Sequence, residues 1–268
     1  MKKQISLFLW ISLLHTGISA QSNMEAVLGT IVQNNKTIQV SRQYWEAQAL
    51  NYQTGLTLSN PTVNYDYMIG SPVSAGNQTD ITLTQAFDFP TAYAKRSDLS
   101  NQKIAKIEFQ LDLVRQEVVL EAKKVCIELI YRNKLQSELS RRKHSFEEFL
   151  LKFQTQLDKG EGSIMDVNKV QLQLIEINNK IQLNTTEINQ KNQQLTALNG
   201  GTSVEFKDTN YALAPVLVSF EELEATIESK DPMRKILEQQ KVIAQQQAEL
   251  SKILTLPKFE LGYHYQGI

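Results

Sequence analysis

Glycine and proline are scarce in this chain, 11 and 6 among 268 residues. That is roughly half their usual share, which argues against a loop-rich fold and for long uninterrupted helices. A single cysteine, Cys126, excludes an internal disulfide framework and any site built from several thiolates. Of the three histidines, His15 lies in the N-terminal segment, and His144 and His264 are far apart in sequence, so no histidine-built zinc centre is expected. Neither sign of charge dominates: 28 basic and 29 acidic residues leave a net charge of −1, with no basic field to hold nucleic acid. No nucleophile–base pair, phosphate loop or metal-ligand spacing occurs, so no catalytic residue, cofactor or metal is expected. What the chain has in quantity is side-chain amide, 17 asparagines and 27 glutamines, giving its helices wide polar faces.

Lys2 and Lys3 precede an apolar stretch from Ile5 to Leu14, and Gly17, Ile18, Ser19 and Ala20 follow as a small-residue cleavage site. This is the pattern of a secretory signal peptide over residues 1–20, with the mature chain starting at Gln21. The apolar stretch is about half the roughly 20 residues of a spanning helix. No cysteine lies near the cleavage site for lipid attachment. Further along, no apolar run approaches spanning length, so membrane insertion would have to use β-strands.

From Thr91 to Asp158 there is neither proline nor glycine. Ile104, Leu111, Val118, Val125, Leu139, Phe146 and Phe153 recur at a period of seven, with Arg132 the one break. A second row of Ile107, Val114, Leu135 and Phe149, interrupted by Glu121, Glu128 and Arg142, completes a coiled-coil seam. Such a helix would be roughly 100 Å long. Gly160, Glu161 and Gly162 break it, and Ser163 followed by Asp166 resembles a cap for a returning helix. That helix repeats Val167, Leu174, Ile181, Ile188 and Leu195, before Asn199, Gly200 and Gly201 stop it. Its alternate row is taken as Gln171, Asn178, Thr185 and Asn192, all polar, which fits either a face toward water inside a tube or an ordinary exposed face. A third helix is expected from Lys36 to Ser59. With the returning helix it nearly matches the long one in length, so the two could stack end to end beside it.

Between Pro61 and Phe87 the period changes to two. Val63, Tyr65, Tyr67 and Ile69 share one face and Asn64, Asp66 and Met68 the other. In the next run Ile81, Leu83 and Phe87 oppose Asp80, Thr82, Thr84 and Ala86, with Gln85 out of place on the apolar face. A third run sets Phe259, Leu261, Tyr263 and Tyr265 against Lys258, Glu260, Gly262, His264 and Gln266. Each has the length of a tilted bilayer-spanning strand, although a soluble hairpin packed on a core would show the same alternation. Placing residue i beside i+196 matches Glu25, Thr30, Ile31, Gln43, Leu58, Pro61 and Tyr67 with identical residues. The order helix, helix, proline, strand is repeated with them, an internal repeat.

In this order, with Asn60-Pro61 before a strand, Phe89-Pro90 opening the long helix and a tip of Gly160, Gly162, Ser163 and Asp166, the chain resembles the TolC-like outer-membrane efflux protein family, most of all its heavy-metal branch. Thr91 stands where many relatives have glycine. The resemblance implies a mainly α protein with membrane β-strands. Long antiparallel coiled-coil hairpins would form a periplasmic tube, and the strands would enter a trimeric barrel of 12 strands shared by the homotrimer. The implied layout is a signal peptide over 1–20, helices over 21–60, a strand pair over 61–89, the hairpin over 90–201 with its tip near 159–166, an equatorial belt over 202–219 and a second repeat from 220 to 268. The chain would then be a fragment or the product of a truncated gene, lacking the aperture-closing residues.

The family's role is an outer-membrane channel in a tripartite efflux system. It takes metal ions or drugs from an inner-membrane pump of the resistance-nodulation-division type, through a periplasmic adaptor, also called a membrane fusion protein. The adaptor would dock on Gly160, Glu161, Gly162, Ser163 and Asp166. The lumen would be faced by Asn64, Asp66, Asp80, Thr82, Glu260 and His264, and the opposite face by outer-membrane lipid. Each has a plainer explanation: Asp166 as a helix cap, the glycines as turn chemistry, the strand residues as solvated side chains, Cys126 as core packing and His144 as helix surface. Two rival functions remain beside this one, a periplasmic coiled-coil adaptor or structural protein, and an outlet for type I protein secretion.

Overall fold

The computed structural model describes residues 24–72, 74, 76–211 and 218–267. The expected signal peptide lies outside them, as do residues 212–217 of the expected belt. Six helices and three strands follow in order: α1 (Met24–Asn34), α2 (Lys36–Tyr52), β1 (Thr62–Met68), β2 (Gln78–Phe87), α3 (Pro90–Asp158), α4 (Ile164–Leu198), α5 (Phe220–Lys230), α6 (Pro232–Ile253) and β3 (Phe259–Gly267). Among the described residues no helix is long and apolar enough to cross a membrane. The described residues divide into two compact units: 24–29, 125–195 and 203–211 in one, and 30–124, 196–202 and 218–267 in the other.

The first unit is a helical hairpin. Val125, Cys126, Leu129, Ile130 and Leu139 of α3 are buried, as are Val167, Val170, Ile177 and Leu195 of α4. On α4 this corrects the expected alternate row. Between Val167 and Leu195 the buried residues are Val170, Ile177 and Asn184, three on from Val167, Leu174 and Ile181, whereas Gln171, Asn178 and Thr185 are exposed and Asn192 is half-buried. The seam is therefore an apolar coiled-coil stripe, and the polar row is its solvated flank. On α3 the expected second row is buried at Ile107 and half-buried at Val114 and Leu135, but Phe149 is half exposed, and beside the breaks at Glu121 and Glu128 it is Ala122 and Leu129 that are buried.

Arg132, the break in the apolar row, sits in a polar layer. Asn184 donates to the Arg132 carbonyl and to Gln136 Oε1, both at 2.9 Å. The Arg132 guanidinium lies 3.5 Å from Glu187 and 3.9 Å from Glu128, and Glu128 also meets Lys191 at 2.7 Å. The belt segment packs on the same hairpin. Phe206 is fully buried, and Asn133 donates to the carbonyls of Phe206 and Asp208, both at 3.2 Å. Burial, with the nearby Asp208 charge, pushes the Cys126 thiol up to about 11, so it stays a protonated packing group.

In the second unit α2 and α6 each pack on the N-terminal part of α3. Ser100 donates to the Tyr52 carbonyl at 2.7 Å. Gln239 donates to the Gln102 carbonyl at 3.0 Å and to its Oε1 at 2.7 Å, Lys95 meets Glu249 at 2.8 Å, and Leu99, Ile243 and Leu250 form a buried cluster. Helix α2 stops at Tyr52 rather than Ser59, because Thr54 folds back on Asn51 and Gly55 takes φ +73°. Helices α2 and α4, of 17 and 35 residues, therefore fall short of the 69 of α3.

Asn35, which precedes α2, donates to the carbonyl of Leu198, the last residue of α4, at 2.7 Å. Beside it Gly200 has φ +67° and packs so close to the Asn34 carbonyl that a Cβ would collide with it. The three strands form one antiparallel sheet of order β1-β2-β3, and Pro90 takes the first position of α3, where its missing N–H costs nothing.

Candidate functional site

The sheet and the hairpin tip carry the candidate residues. Because antiparallel partners point to the same side, the register sorts the sheet into two faces. Val63 pairs with Leu83 and Leu83 with Tyr263; Tyr65 pairs with Ile81 and Ile81 with Tyr265; Phe87 pairs with Phe259. These form one apolar, aromatic face. Gln85 is out of place there as expected, and it turns its amide to the carbonyls of Ser59 and Ala86 at 2.8 and 3.0 Å.

On the opposite face Asn64 pairs with Thr82 and Thr82 with His264, while Asp66 pairs with Asp80 and Asp80 with Gln266. Five of the six expected strand residues thus meet in two adjacent rows. The sixth, Glu260, shares the face further along, opposite Ala86. His264 Nε2 lies 2.5 Å from Asp80 Oδ1, and the Thr82 hydroxyl donates to the same oxygen at 3.4 Å. Among the described residues no group of three or more His, Cys, Asp or Glu is arranged to hold a metal ion.

A soluble hairpin would bury its apolar face, but this sheet leaves it open. Val63 is 66% exposed, Tyr65 63%, Leu261 72% and Tyr263 65%. The polar face is open too on β1 and β3, while on β2 Asp80, Thr82 and Thr84 are half-buried and Ile81 and Leu83 exposed.

At the foot of β2, just outside the strand, Asp88 joins three elements. Its carboxylate pairs with Arg96 of α3 and, at 3.6 Å, with Lys258 just before β3, and its N–H donates to the Tyr93 hydroxyl at 3.0 Å. The Arg96 hydrogen bond, with the Arg96 and Lys258 charges, holds the Asp88 carboxyl below its ordinary value against a smaller effect of burial. The joint borders a cleft of about 680 Å³ that also reaches Thr57, Ser59 and Asn60. Sequence reading passed over this joint, although an acid at a strand end, an arginine two helical turns on and a lysine before the next strand carried the signal.

The tip is a Schellman reversal. Gly160, at φ +78°, ends α3; the Glu161 N–H donates to the Gln156 carbonyl and the Gly160 N–H to that of Leu157, both at 2.9 Å. Gly162 serves space rather than φ, since a Cβ there would sit 2.6 Å from the Leu157 nitrogen. Ser163 accepts from the Met165 N–H at 3.2 Å, and Asp166 lies 3.7 Å from Lys169. The tip residues therefore form one compact reversal. Sequence reading missed the two apolar side chains beside it, Ile164 and Met165, which are 54% and 63% exposed.

A long antiparallel helical hairpin and a three-stranded sheet whose apolar face is left open give the fold of the TolC-like outer-membrane channels. Three solved structures share it. CusC, described for the conformational changes accompanying its folding and transmembrane channel formation, aligns at 12% identity over 92% of this chain and 60% of its own, with a TM-score of 0.73. The outer membrane protein VceC from Vibrio cholerae aligns at 12% identity over 92% of this chain and 63% of its own, TM-score 0.63. The CmeC outer membrane channel of Campylobacter jejuni aligns at 13% identity over 91% of this chain and 56% of its own, TM-score 0.63. This chain thus spans about three fifths of the length of the structures it matches. No protein-family model matches the sequence, and no curated protein matches it.

Proposed function

We propose that this protein is the outer-membrane channel component of a tripartite efflux system and works as a homotrimer whose strands enter one shared barrel. The observation that carries the reading is the open apolar face of the sheet. A face of Val63, Tyr65, Leu83, Leu261 and Tyr263 left open to the outside is costly in water and suits lipid, whereas Asn64, Asp66, Asp80, Thr82, Glu260 and His264 suit a water-filled lumen. The likeness in fold to CusC, VceC and CmeC supports it.

In this reading no bond is made or broken. The helical part stands in the periplasm as a tube, and solutes such as metal ions or drugs pass through it from an inner-membrane pump of the resistance-nodulation-division type. A periplasmic adaptor docks on the tip. Gly160, Glu161, Gly162, Ser163 and Asp166 shape that surface, and Ile164 and Met165 add exposed apolar area beside it for a partner to bury. Purified protein added to a planar lipid bilayer should give stepwise conductance and behave as a trimer in mild detergent. A soluble periplasmic monomer with no bilayer activity would overturn the proposal.

A further inference from the structure

We propose that helix α5 of one copy docks in a groove between α2 and α3 of a second copy, its apolar stripe on the groove floor and its carboxylates on Arg42 and Arg115. This rests on the reading of the protein as a homotrimer and names surfaces that join it. Helix α5 is capped by Ser219, which accepts from the Glu222 N–H at 3.2 Å, yet none of its residues is buried. Phe220, Leu223 and Ile227 form one stripe at helical spacing, all exposed, and Glu221 and Glu224 share its flank. The internal repeat sets Val27 and Ile31 of α1 beside Leu223 and Ile227, and both α1 residues are buried. The α5 stripe therefore has the pattern of a packing face and lacks its cover.

The groove consists of two adjoining cavities, of about 500 and 120 Å³, that share Val32, Ile38 and Arg42. Its floor is apolar: Ile38 is buried, and Val32, Leu111 and Val114 are half-buried. Arg42, Arg115 and Asp112 line the smaller cavity and Glu46 the larger, and among the described residues none of the four forms an ion pair. Two guanidinia against one carboxylate leave the smaller cavity positive, the complement of Glu221 and Glu224 on α5. An apolar helix stripe on an apolar floor with opposite charges beside it is the helix-in-groove mode of recognition. Helix α3 sets the two surfaces at one height. Along α2, Tyr52 meets Ser100 of α3, and Ile38 lies beside Leu111 and Val114. Along α6, Glu249 meets Lys95, Gln240 lies 2.8 Å from Lys106, and Lys235 stands 5.9 Å over the Phe109 ring. Both helices thus begin beside residues 109–115 of α3, and α5, which ends at Lys230 just before α6, ends at the level of the groove. Rotation about an axis along α3 keeps that height, so the α5 of one copy meets the groove of another. Each copy offers one helix and one groove, a head-to-tail contact that three copies close into a ring.

The test co-expresses two differently tagged forms of the full chain in a Cys126→Ala background, one with Arg42→Cys and the other with Glu224→Cys, and treats the membranes with a short bismaleimide. A product of two copies carrying both tags is expected. Arg42→Glu with Arg115→Glu should lower the trimer recovered in mild detergent about five- to tenfold, and adding Glu221→Arg with Glu224→Arg to the same chain should restore it. A trimer that gives no doubly tagged product would overturn the proposal and leave the homotrimer standing. So would capture of a different polypeptide by Glu224→Cys with none of Arg42→Cys, which would assign α5 to a separate partner. If the charge-reversed chain does not fold, the crosslink between the two tagged forms decides alone. A wild type that is monomeric in mild detergent would overturn the homotrimer reading itself, and this contact with it.

Discussion

Asn35 and Asp231 hold the same place in the two copies of the internal repeat, 196 residues apart, and each caps the helix that follows. The Ile38 N–H donates to Asn35 Oδ1 at 3.0 Å, and the Met233 N–H to Asp231 Oδ1 at 3.0 Å. Only Asn35 also has a donor, and its Nδ2 reaches the Leu198 carbonyl at 2.7 Å. One amide thus caps the start of α2 and the end of α4, a double role that an ionised carboxylate cannot fill. Asn35→Asp should keep the α2 cap and lose the joint, setting a negative charge at the negative end of α4. The expected cost is about 1–3 kcal/mol. Asp231→Asn, which keeps a capping oxygen, should change stability by less than about 0.5 kcal/mol. Thermal melts of both variants in detergent, followed by helical circular dichroism, check the contrast.

At the tip the two glycines should fail in different ways. Gly160→Ala adds a Cβ that meets nothing within 4 Å, so its cost is the positive φ alone, about 1 kcal/mol. Gly162→Val drives a branched side chain against the backbone of Gln156 and Leu157 and must displace the last turn of α3. With a cysteine introduced by Met165→Cys in a Cys126→Ala background, crosslinking to the periplasmic adaptor should survive Gly160→Ala and fall several-fold in Gly162→Val at equal protein abundance. Equal crosslinking in both would separate docking from the shape of the reversal.

Asp88 gives an acid-stability prediction. Its carboxyl, held below the ordinary 3.8 first by the Arg96 hydrogen bond and then by the Arg96 and Lys258 charges, binds a proton less readily folded than unfolded. The stabilisation is therefore complete above that value and is lost as pH falls through the lower folded one. The thermal midpoint of the wild type should drop more between pH 7 and pH 3 than that of Asp88→Asn, which has no proton to gain. Parallel losses would show that Asp88 contributes nothing to the joint.

Much of this architecture was legible in the residues. The bounds of α4 and the start of α6 follow from local chemistry, since Ser163, Gly200 and Asp231 are strong punctuation. The sheet faces follow from a period of two, because a strand's side chains alternate whatever its partners. The partner row of α4 was not legible. Spacings of three and four residues both fit a heptad, and only the contact on α3 selects Val170, Ile177 and Asn184. The end of α2 at Tyr52 was missed because Gln53 and Thr54 are acceptable helix formers, and the stop is made by Gly55 and tertiary packing. The joint of Asn35 with Leu198 links residues too distant for any local pattern. The convergence of Asn64, Thr82 and His264 required a register that sequence alternation leaves open.

The most direct test of the channel reading compares two adjacent residues on opposite faces of β3. Leu261 belongs to the open apolar face, and Glu260 to the polar face opposite Ala86. In a Cys126→Ala background, Leu261→Cys and Glu260→Cys would each be exposed to a membrane-impermeant maleimide in intact outer membranes and again after denaturation. If the apolar face meets lipid and the polar face water, Glu260→Cys labels in the membrane and Leu261→Cys labels only after denaturation. Equal labelling of both positions in the intact membrane would contradict the channel reading.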